Sequence, residues 1–576
     1  MKIGKIIRGI FIALIILSLL SAVSFYYAIT RPPTVKPHSY LILEVSGDVA
    51  EVKPPDFPFR LFFGKQLSFK DWLENIKKAS VDDRIDGIIL KIHPSTIGLA
   101  KVQELREAVG KFREIGKRVI SFIEFGGDKE YYLATAADEI YLQPVSVLLV
   151  DGVLVKTTFL RGTLDKLGLE PDFIQIGPYK NAPDPLVRKT MSDEHREATV
   201  SLLESVFGQY LADISSARGK TREEMREIID RGYFTSREAL AEGLVDSLIY
   251  WDEIKSLIQV DNEARTISGH KYAKIKPSSL GLDKGQVIAL IYTTGDIILG
   301  EDEGGPEEGF TTSETVLHAF EKAREDDDVK AVVLRINSPG GASMASEIMW
   351  REAMLTRERK PVVASMSDLA ASGGYYIATA CDAIVANPGT ITGSIGVYAG
   401  KFNMSKLYEK IGMNPEVIKI GEHAALFLET ASFTEKEREK LKEDLWDFYF
   451  NDFVQRVADN RGLSPDSVDA LGRGRIWSGN QALANGLVDR IGTISDAVEI
   501  AKARAGISPQ EEVRLRIYPK PKSFIERLLS MNLESRIDVT KLPLLYRDSY
   551  EELLSWERLT RSGGFYLVMP YKLRFE

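Results

Sequence analysis

The sequence predicts an α/β protein built as two tandem copies of one domain, set behind an N-terminal apolar span. Three observations carry this expectation. The stretch "DGIILKI" (Asp86–Ile92) returns as "KAVVLRI" (Lys330–Ile336) at an offset of 244 residues, and the same offset aligns "YYLATAADEIYLQP" (Tyr131–Pro144) with "YYIATACDAIVANP" (Tyr375–Pro388). Short apolar runs rich in β-branched residues, such as "AVVLRI" and "PVVASM", alternate with segments of helical period such as "SEIMWREAMLTRE". That alternation reads as βαβ units. Finally, Gly9–Ile29 runs without a single charge.

Taken in chain order, residues 1–30 form a membrane anchor. The uncharged stretch is about as long as a bilayer-crossing helix needs. Lys2, Lys5 and Arg8 precede it, and its tyrosines and following "TRPP" do not fit a cleaved signal peptide. Positive charge before the span favours an N-terminus in the cytoplasm and a body outside. The first copy then occupies 38–260, a linker 261–284 and the second copy 285–505. "EALAEGLVD" (Glu238–Asp246) and "QALANGLVD" (Gln481–Asp489) mark equivalent points near the two ends. Residues 506–576 fall outside the repeat and end in "GGFYLVMPYKLRF", to which no function attaches. A chain of 576 residues that is 44% hydrophobic and 27% charged is ordinary for a multidomain protein. A net charge of −9 without a long basic block leaves no footprint for nucleic acid. The single cysteine, Cys381, cannot form an intrachain disulfide and reads as a buried structural thiol.

Differences between the copies locate the chemistry. In "NPGTITGSIGVYAG" (Asn387–Gly400) the candidate nucleophile Ser394 stands between glycines, and Val150 occupies its place in the first copy. Lys180, in "IGPYKNA", faces Ala424 in the second copy. A serine in one copy and a lysine in the other predict one composite site. A lysine activates a serine only when neutral, so its pKa must fall by several units from about 10.4 in a dry pocket. A turn serine and a solvated surface lysine are the alternative reading of the same two residues. After the strand "AVVLRI", "NSPGGASMASE" (337–347) brings paired glycines that the first copy lacks. Glycines there let backbone N–H groups approach a ligand and stabilise an oxyanion. No histidine lies within 25 residues of Ser394.

With "GPYKNAPDP" in the first copy and "NSPGG", "ASGGYYIA" and "TGSIGV" in the second, behind an apolar span, the chain resembles the long form of the signal peptide peptidase A family, membrane-anchored bacterial Ser/Lys proteases of the Clp-protease/crotonase superfamily. The resemblance covers residues 1 to about 505. It implies Ser394 as nucleophile, Lys180 as general base, and the backbone N–H groups of Gly341 and Ile395 as oxyanion donors. It further implies tandem crotonase-like domains, a homotetramer with apolar grooves, and no metal or other cofactor. The implied substrates are signal-peptide remnants and other apolar peptides. The implied location is the bacterial cytoplasmic membrane, with lipid contact through the N-terminal helix and the catalytic body on the periplasmic face.

Three rival readings stand beside this one. "LAASGGYY" (Leu369–Tyr376) offers Ser372 as nucleophile, but that would call for a His/Asp pair, and Ser372 reads better as a helix-start residue near the site. A crotonase-like acyl-CoA enzyme would use the same glycine turn, although an external body has no access to cytosolic acyl-CoA. A non-catalytic membrane scaffold follows if Lys180 lies far from Ser394. Cleavage preference, subunit number and whether Ser394 and Lys180 meet within one chain are open at this level.

Overall fold

The computed structural model describes residues 17, 32–47, 49–52, 67–300, 309–518 and 566–568. Apart from Leu17, the N-terminal span lies outside the described residues. Among the described residues, no helix is long and apolar enough to cross a membrane.

Each copy has a run of six strands paired in parallel, which is a complete sheet in the first copy and part of a twelve-stranded sheet with some antiparallel pairs in the second. In the first the order is Thr266–Ser268, Ser39–Gly47, Ile85–Ser95, Arg118–Ile123, Glu139–Leu142, Ser247–Leu248. In the second it is Arg514–Tyr518, Val287–Ile298, Val329–Ala342, Val362–Ala371, Ala383–Ala386, Arg490–Ile491. The edge strand Thr266–Ser268 comes from the stretch read as a linker, and its counterpart Arg514–Tyr518 comes from the stretch read as an extension. Both are short and polar on alternate positions, so no apolar run announces them.

The central strands are apolar at successive positions because both faces are covered. Val332, Leu334 and Ile336 enter one buried cluster while Ala331 and Val333 enter another. On the first face lie the helices Ser313–Glu325 and Ser343–Arg357, and on the second Ile494–Arg504. The first copy repeats the arrangement, with Ile88, Leu90 and Ile92 in its main core and Ile89 on the other face. Each fully buried Ile, Leu or Val of this kind stabilises the fold by roughly 1.5–3 kcal/mol. Helix starts follow local rules: Ser68, Thr434 and Ser478 each cap a helix through reciprocal side-chain and backbone hydrogen bonds.

Two features join the copies. The strand Glu170–Gln175 of the first pairs antiparallel with Tyr398–Asn403 of the second, directly after Ser394. The other is a buried charge cluster. Arg335 donates to Glu104 at 2.6 Å and to Ser365 and Ser367 at 3.0 Å, while Lys101 lies 3.5 Å from both Glu51 and Asp368. Burial pushes the Glu51 carboxyl up, yet Arg335 and Lys101 outweigh it and hold the group below the usual carboxylate range. Glu104 also accepts from the Ile494 N–H at 3.0 Å, and Asp368 accepts from the N–H groups of Gly98 and Lys101. First-copy and second-copy sheets are thus fixed against each other, which sets the distance between Lys180 and Ser394.

Candidate active site

The composite arrangement expected from the two unequal copies is present within one chain. Lys180 Nζ lies 3.1 Å from Ser394 Oγ, 3.0 Å from the Ser394 carbonyl oxygen and 2.7 Å from Ser372 Oγ. Lys180, Ser372 and Ser394 are each 0% exposed. Ser372 precedes the helix Gly373–Ala378, as a helix-start residue does, and also touches the amine. Both serines adopt positive φ, +53° for Ser372 and +50° for Ser394, a conformation a non-glycine residue holds only when its surroundings enforce it.

Burial alone pushes the Lys180 amine well below its ordinary value. Among the described residues no carboxylate offsets that burial. Burial thus favours the neutral form of the amine, which has two N–H bonds and one lone pair. The carbonyl oxygen of Ser394 can only accept, so it takes one N–H. The Ser372 hydroxyl takes the other, and the lone pair is left facing the Ser394 hydroxyl. That is the arrangement a general base requires.

A loop not singled out in the sequence holds the parts together. The N–H of Ser394 donates to the carbonyl of Arg475 at 2.7 Å, and Gly474 N–H donates to that of Ile395 at 2.7 Å. Tyr179 N–H donates to the carbonyl of Arg473 at 3.0 Å. The Gly472–Arg475 segment therefore grips the serine turn on one side and the lysine loop on the other. Gly474, at φ +87°, sits so close that a Cβ there would stand 2.3 Å from the backbone of Lys180. Tyr449 supports the loop from below: its hydroxyl donates to Asp469 at 2.7 Å and accepts from the Arg473 N–H at 3.0 Å. It lies in a π-helical segment, Phe448–Val454, a local widening frequent near functional sites. The copies carried a signal for this loop, because Gly472 and Gly474 stand opposite Ile229 and Arg231 at an offset of 243.

The glycine turn reaches the same place. Gly341 pairs with Ile297 in the sheet, and a Cβ on it would lie 1.8 Å from the Ile297 carbonyl oxygen, so no side chain fits. A Cβ on Gly373, the residue after Ser372, would lie 3.2 Å from the Gly341 nitrogen. Ile395, following Ser394, is fully buried, and no described residue accepts its N–H. Cys381 is buried, and burial raises its thiol pKa, as expected of a structural thiol.

Comparison with known proteins agrees with the duplication. The profile of Peptidase family S49 matches twice, at residues 111–265 and 354–508. The chloroplastic serine protease SPPA of Arabidopsis thaliana is 35% identical over 503 residues, covering 86% of this chain and 73% of the relative. Protease 4 of Salmonella typhi is 32% identical over 497 residues, covering 81% and 78%. Protease 4 of Haemophilus influenzae is 30% identical over 462 residues, covering 76% and 73%. Fold and relatives together define a serine peptidase of tandem α/β domains. The chain belongs to Peptidase family S49, in its long, duplicated form.

Proposed function

We propose that this serine peptidase works through a Ser394/Lys180 dyad and degrades apolar peptides, signal-peptide remnants among them, at a membrane surface. The observation that carries the reading is the contact of a buried lysine amine with Ser394 Oγ at 3.1 Å. In acylation, Ser394 Oγ attacks the peptide carbonyl carbon and its proton passes to Lys180 Nζ. Lys180 then gives that proton to the leaving amine as the C–N bond breaks. A water that loses its proton to Lys180 attacks the ester, and the proton returns to Ser394 as the acid product leaves.

The oxyanion would be held by the N–H groups of Gly341 and Ile395. Support comes from the first copy, where Asp128 stands at the position of Ser372. One Asp128 carboxylate oxygen accepts from the N–H of Asp151, the counterpart of Ile395, at 3.2 Å, and from that of Gly152 at 3.1 Å. The first copy thus sets a carboxyl oxygen against the counterpart of Ile395, one of the two proposed donors. Burial raises this carboxyl to about 7.

The anchor, Gly9–Ile29, would tether the body to the outer face of a bacterial cytoplasmic membrane, where apolar peptides are left after preprotein processing. A homotetramer is the assembly proposed, and the duplication supports a head-to-tail contact. Within the chain, first-copy Glu170–Gln175 pairs with second-copy Tyr398–Asn403. Their counterparts, 414–419 and 154–159, belong to no strand, and Ile418 is 95% exposed. Residues 414–419 of one chain would meet 154–159 of the next and rebuild the same junction, a heterologous contact that closes into a ring.

The test of the dyad is hydrolysis of a fluorogenic apolar peptide by the full chain in detergent. Ser394→Ala and Lys180→Ala should each lose at least about three orders of magnitude in kcat, and Ser372→Ala should keep a tenth or more of wild-type activity. Full activity in Lys180→Ala would place the base elsewhere.

A further inference from the structure

The strand Tyr566–Val568 pairs antiparallel with the glycine turn, Val568 opposite Gly340, Leu567 opposite Gly341 and Tyr566 opposite Ala342. On its other side Tyr566 pairs antiparallel with Tyr398, at the start of the strand that follows Ser394. It therefore fills the gap between the two backbone segments that carry the proposed oxyanion donors. The core strands Val287–Ile298, Val329–Ala342, Val362–Ala371 and Ala383–Ala386 pair in parallel, whereas this strand joins their sheet antiparallel. It also lies beyond the family match, which ends at residue 508, and beyond the last core strand, Arg514–Tyr518.

A peptide awaiting cleavage has to lie extended here, since its carbonyl must reach Gly341 N–H while its backbone satisfies the open edges on either side. The segment Gly563–Pro570, "GGFYLVMP", carries no charge and matches the apolar chemistry proposed for substrates. The complete burial of Ser372, Ser394 and Lys180 agrees with a cleft already filled.

We infer that the C-terminal segment around Tyr566–Val568 is a tethered occupant of the peptide-binding cleft and must leave before a substrate strand can enter. The inference rests on the proposed location of the active site. A tethered strand competes at an effective concentration in the millimolar range, so modest intrinsic affinity is enough to hold the cleft closed. An occupant of this kind raises KM and leaves kcat unchanged, because saturating substrate displaces it.

The test uses full chains carrying Leu567→Pro or Val568→Pro. They are made separately because alternate N–H groups of an antiparallel strand point to opposite neighbours. At least one should lower KM for an apolar fluorogenic peptide about tenfold or more, with kcat within about twofold of wild type. A second readout is independent of catalysis. In a Ser394→Ala background, a fluorescein-labelled Gly563–Tyr571 peptide should bind the proline variant about tenfold more tightly than the unaltered strand, measured by anisotropy. Unchanged KM and unchanged binding in both variants would overturn the inference. Tighter peptide binding in chains that hydrolyse nothing would instead sink the catalytic reading and leave the occupied cleft standing.

Discussion

Gly474→Ala is the substitution whose effect follows most directly from the geometry. A Cβ at this position would stand 2.3 Å from both the N and the Cα of Lys180 and 2.6 Å from its Cβ. Non-bonded carbons prefer about 3.5–4.0 Å, so the two backbones must part by about 1 Å. The lysine side chain moves with its backbone. Its 3.1 Å contact with Ser394 Oγ then stretches to about 4 Å, beyond hydrogen-bond range. A misplacement of 1 Å costs about 10²-fold in rate, equivalent to about 2.7 kcal/mol of barrier. The positive φ of +87° adds roughly 1–2 kcal/mol of backbone strain, which lowers stability and leaves the chemistry alone. Gly243→Ala separates the two effects. Gly243 has a φ of +70°, and a Cβ there meets only Lys220 Nζ, at 3.8 Å. Both variants should lose a few degrees in thermal unfolding, and only Gly474→Ala should lose about 10²-fold in kcat on a fluorogenic apolar peptide. A folded Gly474→Ala enzyme with kcat within about threefold of wild type would refute the claim that this loop sets the lysine.

Two further outcomes follow from the same structure. Because burial lowers the Lys180 pKa, between that lowered value and about 10.4 the unfolded chain binds a proton that the folded chain does not, so this residue's contribution to stability rises with pH. Lys180→Met should therefore unfold at a higher denaturant concentration than wild type at pH 7, with the advantage shrinking as pH approaches 10.4, and the wild-type kcat/KM should rise through a limb well below pH 10.4. An unaltered midpoint at every pH would mean that the amine carries no burial penalty. Ile418→Asp places a charge in the exposed segment 414–419 proposed to join neighbouring chains, and should convert the assembly to single chains by mass photometry at micromolar concentration; an unchanged mass would remove that segment from the interface.

What the sequence made legible divides along a physical line. Strands such as "AVVLRI" stood out because both faces of a parallel sheet are buried, so nearly every residue is apolar, and their recurrence exposed the duplication. Ser394 and Lys180 stood out because each is present in one copy and replaced by Val150 or Ala424 in the other. Arg335 was harder to place. It interrupts an apolar strand, and its partner Glu104 lies 231 residues away in the other copy, so only the packing of the copies shows that it is paired. The Gly472–Arg475 loop was harder still, because it acts through the carbonyls of Arg473 and Arg475 and the N–H of Gly474, atoms that any residue carries. Contacts of backbone with backbone leave a trace in sequence only where a side chain would not fit. The glycines of "LGRGR" are that trace, as Gly341 is for the oxyanion turn. The C-terminal strand exposes the limit of this signal: Tyr566–Val568 pairs with Gly340–Ala342 through a main-chain ladder, and "FYLVMP" would pair equally well with any open edge. The same indifference suits the proposed cleft for apolar peptides, because a site that bound its substrates through backbone hydrogen bonds would leave the chain's own tail as eligible as any other strand.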